Sequence, residues 1–234
     1  MRLGAFLYRQ GRYEEALRAY DTSRQLAPDN TRAYAALAAV YHQLDRTDDA
    51  AAALQRSLEI APDSITYSNL GTLLYFEGRY TDAVSAFERG VQLGANSYLR
   101  WGNLGDAQRM VASDREKAHA SYASAIQLVR ARLAASPSDM EARSSVAVYL
   151  IRDERATEAL KELDAVLADK VQTPSVLFNC AIVAELAGQR ARALDLLGRA
   201  LAGGYQLREI TNEPDLVKLR ADPDYHRLIA RQEK

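Results

Sequence analysis

The chain has 234 residues, 48% of them hydrophobic and 26% charged, with a formal net charge of -1. That balance excludes a global field pulling the molecule onto nucleic acid or an anionic membrane. No apolar run approaches the roughly 18 residues of a membrane span, and the single cysteine, Cys180, rules out an internal disulfide and a cysteine zinc cluster.

Strand-like alternation is absent, and short apolar stripes at helical spacing recur from end to end, so the expectation is an all-α protein. Three anchors repeat in phase. A pair of small or apolar residues stands at Leu3-Gly4, Leu37-Ala38, Leu70-Gly71, Leu104-Gly105, Val146-Ala147 and Cys180-Ala181, in steps of 34, 33, 34, 42 and 34. An alanine follows at 16, 50, 83, 118, 159 and 193, and four residues after each comes Tyr20, Leu54, Phe87, Tyr122, Leu163 or Leu197. A fixed period of this length marks a stack of helix pairs in which no unit is stable alone.

In chain order, the first unit (about 1–30) begins at what would be the fifth residue of its repeat, so it reads as a unit whose first turn is missing, as in a piece of a longer protein. The second (31–63) is alanine-rich, with Asp45-Arg46-Thr47-Asp48 as its turn; the third (64–97) is the most regular copy. The fourth (98–138) departs from the period. Its turn, Ala112-Ser113-Asp114-Arg115, carries an extra residue, and its second helix runs on from about Asp114 to Ala135, about 33 Å against about 21 Å for a regular copy. The fifth (140–173) and sixth (174–207) return to regular length. In the tail (208–234) two Pro-Asp pairs begin short helices, and Leu216, Leu219, Tyr225 and Leu228 are suited to cap the last apolar face.

Elementary packing assigns the anchors their tasks. Glycine inside a helix costs about 1 kcal/mol relative to alanine, so Gly4, Gly71 and Gly105 suggest close approach between paired helices, with the alanines facing them. The large residue one turn later should fill the space between adjacent repeats. Gly11, Gly78 and Gly188 permit the turns.

This pattern resembles the tetratricopeptide repeat over roughly residues 1–207; Trp101 stands at the family's tryptophan position, and Pro28 and Pro62 close two units as its proline does. The resemblance implies a right-handed tetratricopeptide α-solenoid of about six helix-turn-helix repeats with a short C-terminal helical cap. It further implies a groove lined by the first helices, in which peptides lie. Repeats four to six and the tail also resemble the C-terminal region of multidomain bacterial signalling proteins, where such repeats follow a kinase, cyclase or DNA-binding effector domain. That likeness rests on Trp101, Leu104, Gly105 and Asp106, the long helix closing in Ser136-Pro137, and Leu219-Arg220 with Asp222-Pro223.

No catalytic constellation is visible: there is no glycine-rich phosphate loop, no His-Glu-x-x-His and no Cys-x-x-Cys. His42, His119 and His226 fall in separate contexts and read as surface histidines, Cys180 as a packed thiol. The acid pairs Glu14-Glu15 and Asp48-Asp49 read as complements to helix N-termini. The expectation is a non-enzyme without metal or cofactor, placed in the cytoplasm, that binds a protein or peptide without contacting nucleic acid or membrane. Self-association is the rival reading, through the apolar edge of repeat one or the stripe at Val129 and Leu133.

The resemblance places the groove at Asn69, Asn103 and Asn179, each directly before the buried anchor of its unit, with Ser145 equivalent in repeat five. Asparagine donates and accepts, so it can bracket a peptide backbone without reading side chains. Helical spacing adds Thr72, Tyr75 and Phe76 after Asn69, and Asp106, Arg109 and Met110 after Asn103; Arg32, Ala35 and Ala39 belong to repeat two. With only five lysines in the chain, none on those faces, the carboxylate clamp of chaperone-binding relatives is not expected.

Overall fold

A computed structural model describes residues 1–169 and 172–230. Its described residues are helices and turns. The helix pairs are α1 (Arg2–Arg9) with α2 (Tyr13–Leu26), α3 (Thr31–Gln43) with α4 (Thr47–Ile60), and α5 (Ser64–Phe76) with α6 (Tyr80–Leu93). α7 (Tyr98–Met110) leads through a 3-10 turn, Ala112–Asp114, into α8 (Arg115–Ala135). α9 (Met140–Arg152) with α10 (Ala156–Leu167), and α11 (Pro174–Leu186) with α12 (Arg190–Ala202), complete the repeats. The tail forms α13 (Leu207–Asn212), a 3-10 turn at Pro214–Leu216, α14 (Val217–Arg220) and α15 (Pro223–Ala230). The fold is the expected helical-repeat class, and the long second helix of repeat four is α8, 21 residues.

The chain divides into two compact units, Met1–Ala118 and a second from His119 onward. In the first, α1, α3 and α5 each pack on their own second helix, and α5 also lies against α7. In the second, α9 packs on α10 and α11, and α11 on α12. The six repeat alanines are all buried, as are Tyr20, Leu54, Phe87, Tyr122, Leu163 and Leu197. Burial of one such leucine contributes about 1.5–3 kcal/mol, which is what short helices, marginal alone, require.

The glycines work differently from the sequence expectation. A Cβ on Gly71 would sit 2.6 Å from the Phe87 ring, and one on Gly4 2.7 Å from the Tyr20 ring. In repeats one and three the large residue therefore sits over the glycine of its own repeat, whereas Tyr122 of repeat four stacks on Tyr149 of repeat five, as expected of a side chain between repeats. The turns do use left-handed backbone: Gly11, Gly78 and Gly188 have φ of 72°, 74° and 75°. Asp45 and Glu154 hold the same position in repeats two and five at 56° and 61°, where a Cβ is strained.

Side chains close the helix ends. Asp63 accepts from the backbone N–H groups of Ile65 and Thr66, both at 2.9 Å, and Asp139 from Ala142 at 2.9 Å. The residue before four of the six second helices carries a second device: Arg12, Arg46, Arg79 and Arg155 bond to Glu15, Asp49, Asp82 and Glu158 three residues on. The acid pairs at 14–15 and 48–49 do lie in first turns.

The tail divides its contacts. α15 lies against α12, where a Cβ on Gly198 would meet the Leu228 side chain at 3.2 Å. Leu216 and Leu219 are buried, but their segment runs back to α9 and α11 rather than only covering the last repeat. The stripe on α8 also departs from the expectation of an open edge: Val129 is buried and Leu133 half-buried.

Candidate functional site

On a helix of 3.6 residues per turn, positions i-4, i+3 and i+7 share the face of residue i. Taken from Asn69, that face of α5 carries Ile65, Thr72 and Phe76; taken from Asn103, that of α7 carries Leu99, Asp106 and Met110. α5 and α7 pack side by side, and the Arg100 guanidinium donates to the Ser64 hydroxyl at 2.8 Å. The two faces thus form one surface of four rows: Ile65 with Leu99, Asn69 with Asn103, Thr72 with Asp106, and Phe76 with Met110.

This surface is open. Ile65 is 65% and Leu99 52% exposed, and Phe76 is also exposed. Asn69 is exposed and Asn103 half-buried. Among the described residues neither amide has a hydrogen-bond partner, so both keep donor and acceptor available. The Thr72 hydroxyl donates to the Ser68 carbonyl at 3.0 Å, and Asp106 is half-buried. In repeat two the equivalent positions are Arg32 and Ala39, both exposed, and Ala36, half-buried, while Ala35 is half-buried.

Two of the expected contacts lie elsewhere. Tyr75 is buried, with ring centroids 5.6 Å from Phe76 and 5.4 Å from Tyr80, edge-on to both. Arg109 stands at the equivalent place and is half-buried. Six residues after the asparagine a helix has turned about 120° off its face, which turns this position into the repeat. The same geometry shows what the sequence reading missed. Ile65 and Leu99, four residues before each asparagine, are on the face, and their spacing could have identified them.

In the second unit the equivalent rows are closed. Ser175 donates to the Glu141 carboxylate at 2.8 Å, across from α11 to α9. Asn179 donates to the Ser144 hydroxyl at 3.1 Å, and Ser145 to the Glu141 carbonyl at 2.9 Å. Val148 and Ile182, which replace Thr72 and Asp106, are buried. Asn179 and Ser145 are thus structural in this state, and the open amides are those of Asn69 and Asn103.

The remaining reactive groups are accounted for by burial or surface pairing. Burial pushes the Cys180 thiol up to about 12, so it is not a nucleophile at neutral pH. His119 is exposed and lies 2.7 Å from the Asp153 carboxylate, and His226 is exposed. Among the described residues there is no cluster of metal-ligating side chains, and no helix is long and apolar enough to cross a membrane.

Residues 7–74 match the family model of the tetratricopeptide repeat. The chain is 29% identical over 114 residues to Small glutamine-rich tetratricopeptide repeat-containing protein 2 of Mycosarcoma maydis, which covers 48% of this chain and 32% of that protein. It is 30% identical over 124 residues to the Hsp70-Hsp90 organizing protein of Triticum aestivum, covering 53% of this chain and 21% of that protein. The chain therefore spans a third or less of the length of the curated relatives it matches. A solved tetratricopeptide repeat protein from Parabacteroides merdae ATCC 43184, 18% identical, matches with a TM-score of 0.67 over 94% of this chain and 82% of that one. That likeness shows the fold, and with the family match it supports reading the helix pairs as tetratricopeptide repeats.

Proposed function

We propose that the protein is a non-catalytic interaction module that binds an extended peptide segment of a partner protein on the face of α5 and α7. The observation that carries this is the pair of uncommitted amides, Asn69 and Asn103, at the same register of adjacent repeats. Each can bracket one peptide unit of an extended chain. Ile65 and Leu99 on one side are apolar and exposed, and at the far end stand exposed Phe76 and half-buried Met110; these rows suit apolar side chains of the ligand. The names of the matched relatives are consistent with protein-interaction roles in proteins carrying such repeats. Were the chain part of a signalling protein, as repeats four to six suggest, its own effector domain would use the same face.

The test is selection of peptides from a displayed random library on the intact protein, with the enriched peptides then titrated against Asn69→Ala/Asn103→Ala. Loss of binding in the double variant, with unchanged helix content, supports the reading; unchanged binding sinks it. A second reading, self-association, draws on Leu3 and Phe6 of α1, which are 64% and 50% exposed. Sedimentation across a concentration range, with Leu3→Ser/Phe6→Ser as the control, decides it.

A further inference from the structure

The Arg152 side chain ends α9 seven residues after Ser145, the register that Phe76 and Met110 hold in α5 and α7. It is 7% exposed and is held by the tail. Its Nε donates to Asp215 Oδ2 at 2.8 Å and its Nη2 to Glu213 Oε1 at 3.1 Å. One planar guanidinium thus takes two carboxylates two residues apart, an arrangement that the donor fork of arginine matches and a lysine does not.

The segment is shaped for this contact. The Glu213 carboxylate also accepts from the Asp215 N–H at 3.2 Å, and Pro214 fixes the backbone between them. Arg220 donates to the Glu213 carbonyl at 2.7 Å. Leu216 follows directly and is fully buried. Beside it, Leu186 of α11, on the same face as Arg152, forms with Glu185, Pro214, Asp215, Val217 and Lys218 a pocket of about 330 Å³. The face itself has changed character: Val148 and Ile182 are apolar and buried where repeats three and four carry Thr72 and Asp106.

We propose that the first-helix face of repeats five and six is a receptor for an acidic Glu-Pro-Asp-Leu segment, and that residues 213–216 of this same chain are its resident ligand. External peptides are thereby confined to the first unit. The proposal rests on the reading of this face as the ligand face, but its test does not use the first-unit site.

Two full-length variants are compared with the parent by hydrogen exchange. Glu213→Gln/Asp215→Asn removes both charges while keeping shape and leaves the receptor intact; Arg152→Lys keeps the charge and loses the fork. Exchange across 213–219 should rise at least tenfold in both, with α1 to α7 unchanged. Should the double variant not fold, Arg152→Lys reads the same exchange. A labelled synthetic peptide spanning residues 208–222 should bind the double variant, whose site is vacated, and neither the parent nor Arg152→Lys. Unchanged exchange at 213–219, or equal peptide binding by the parent and the double variant, would overturn the proposal and leave the segment a packed terminus. Neither result bears on Asn69 and Asn103, so this proposal and the first-unit reading fail separately.

Discussion

Asn179 donates its side-chain amide to the hydroxyl of Ser144, 3.1 Å away on the preceding first helix. The bond separates two kinds of asparagine at one register. In α11 the amide ties neighbouring repeats together, and in α5 and α7 it faces solvent. Asn179→Ala should therefore cost about 1 kcal/mol of stability, the net worth of one hydrogen bond, and leave peptide binding alone. Urea denaturation followed by the exchange of α9 and α11 amides measures it.

The register of that asparagine was readable from the repeat, and so were the six helix pairs, the extended α8 and the turn glycines, because periodicity and turn chemistry are local. The sequence could not show which asparagines were spent. Asn103 also has a serine, Ser68, one repeat earlier at the place of Ser144, so the difference lies in how closely the first helices pack: α11 lies tightly on α9, and α7 only lightly on α5. Tyr75 departs for a different reason: six residues after Asn69, the 3.6-residue turn carries it off the face. The path of the tail was hidden because Glu213 and Asp215 meet Arg152 from more than 60 residues away.

Gly71 and Phe87 make a steric pair. Gly71→Ala places a Cβ 2.6 Å from the ring, and overpacking of this kind costs about 1–3 kcal/mol. In a double-mutant cycle Phe87→Leu should recover part of that loss, since the two residues share one space. Additive losses would mean that the glycine serves another purpose.

Glu154 occupies a left-handed turn at φ 61°, where three other repeats have glycine. Glu154→Gly relieves that conformation and should stabilise the protein by about 1 kcal/mol. Asp45→Gly should gain less, because aspartate tolerates the region better. Midpoints of urea denaturation report both.

Asp63 sets a pH dependence. Burial raises its pKa, but the hydroxyl and backbone N–H of Thr66, the N–H of Ile65 and the charge of Arg100 together outweigh it, and the net shift is downward. A carboxylate whose folded pKa is depressed contributes fully above its unfolded value, about 3.9. That contribution is lost as pH falls through the lower folded value. Asp63→Asn, also a good cap, should match the parent near neutral pH and lose less stability on acidification below about pH 4.

The proposed role of Asn69 and Asn103 is recognition of the peptide backbone. It is tested most directly by titrating one library-selected peptide against the parent, Asn69→Ala/Asn103→Ala and Asn179→Ala. Two backbone-directed hydrogen bonds are worth about one to two orders of magnitude in Kd. The prediction is a loss of that size in the double variant and parental affinity in Asn179→Ala. Equal affinity in all three, or a loss confined to Asn179→Ala, would contradict it.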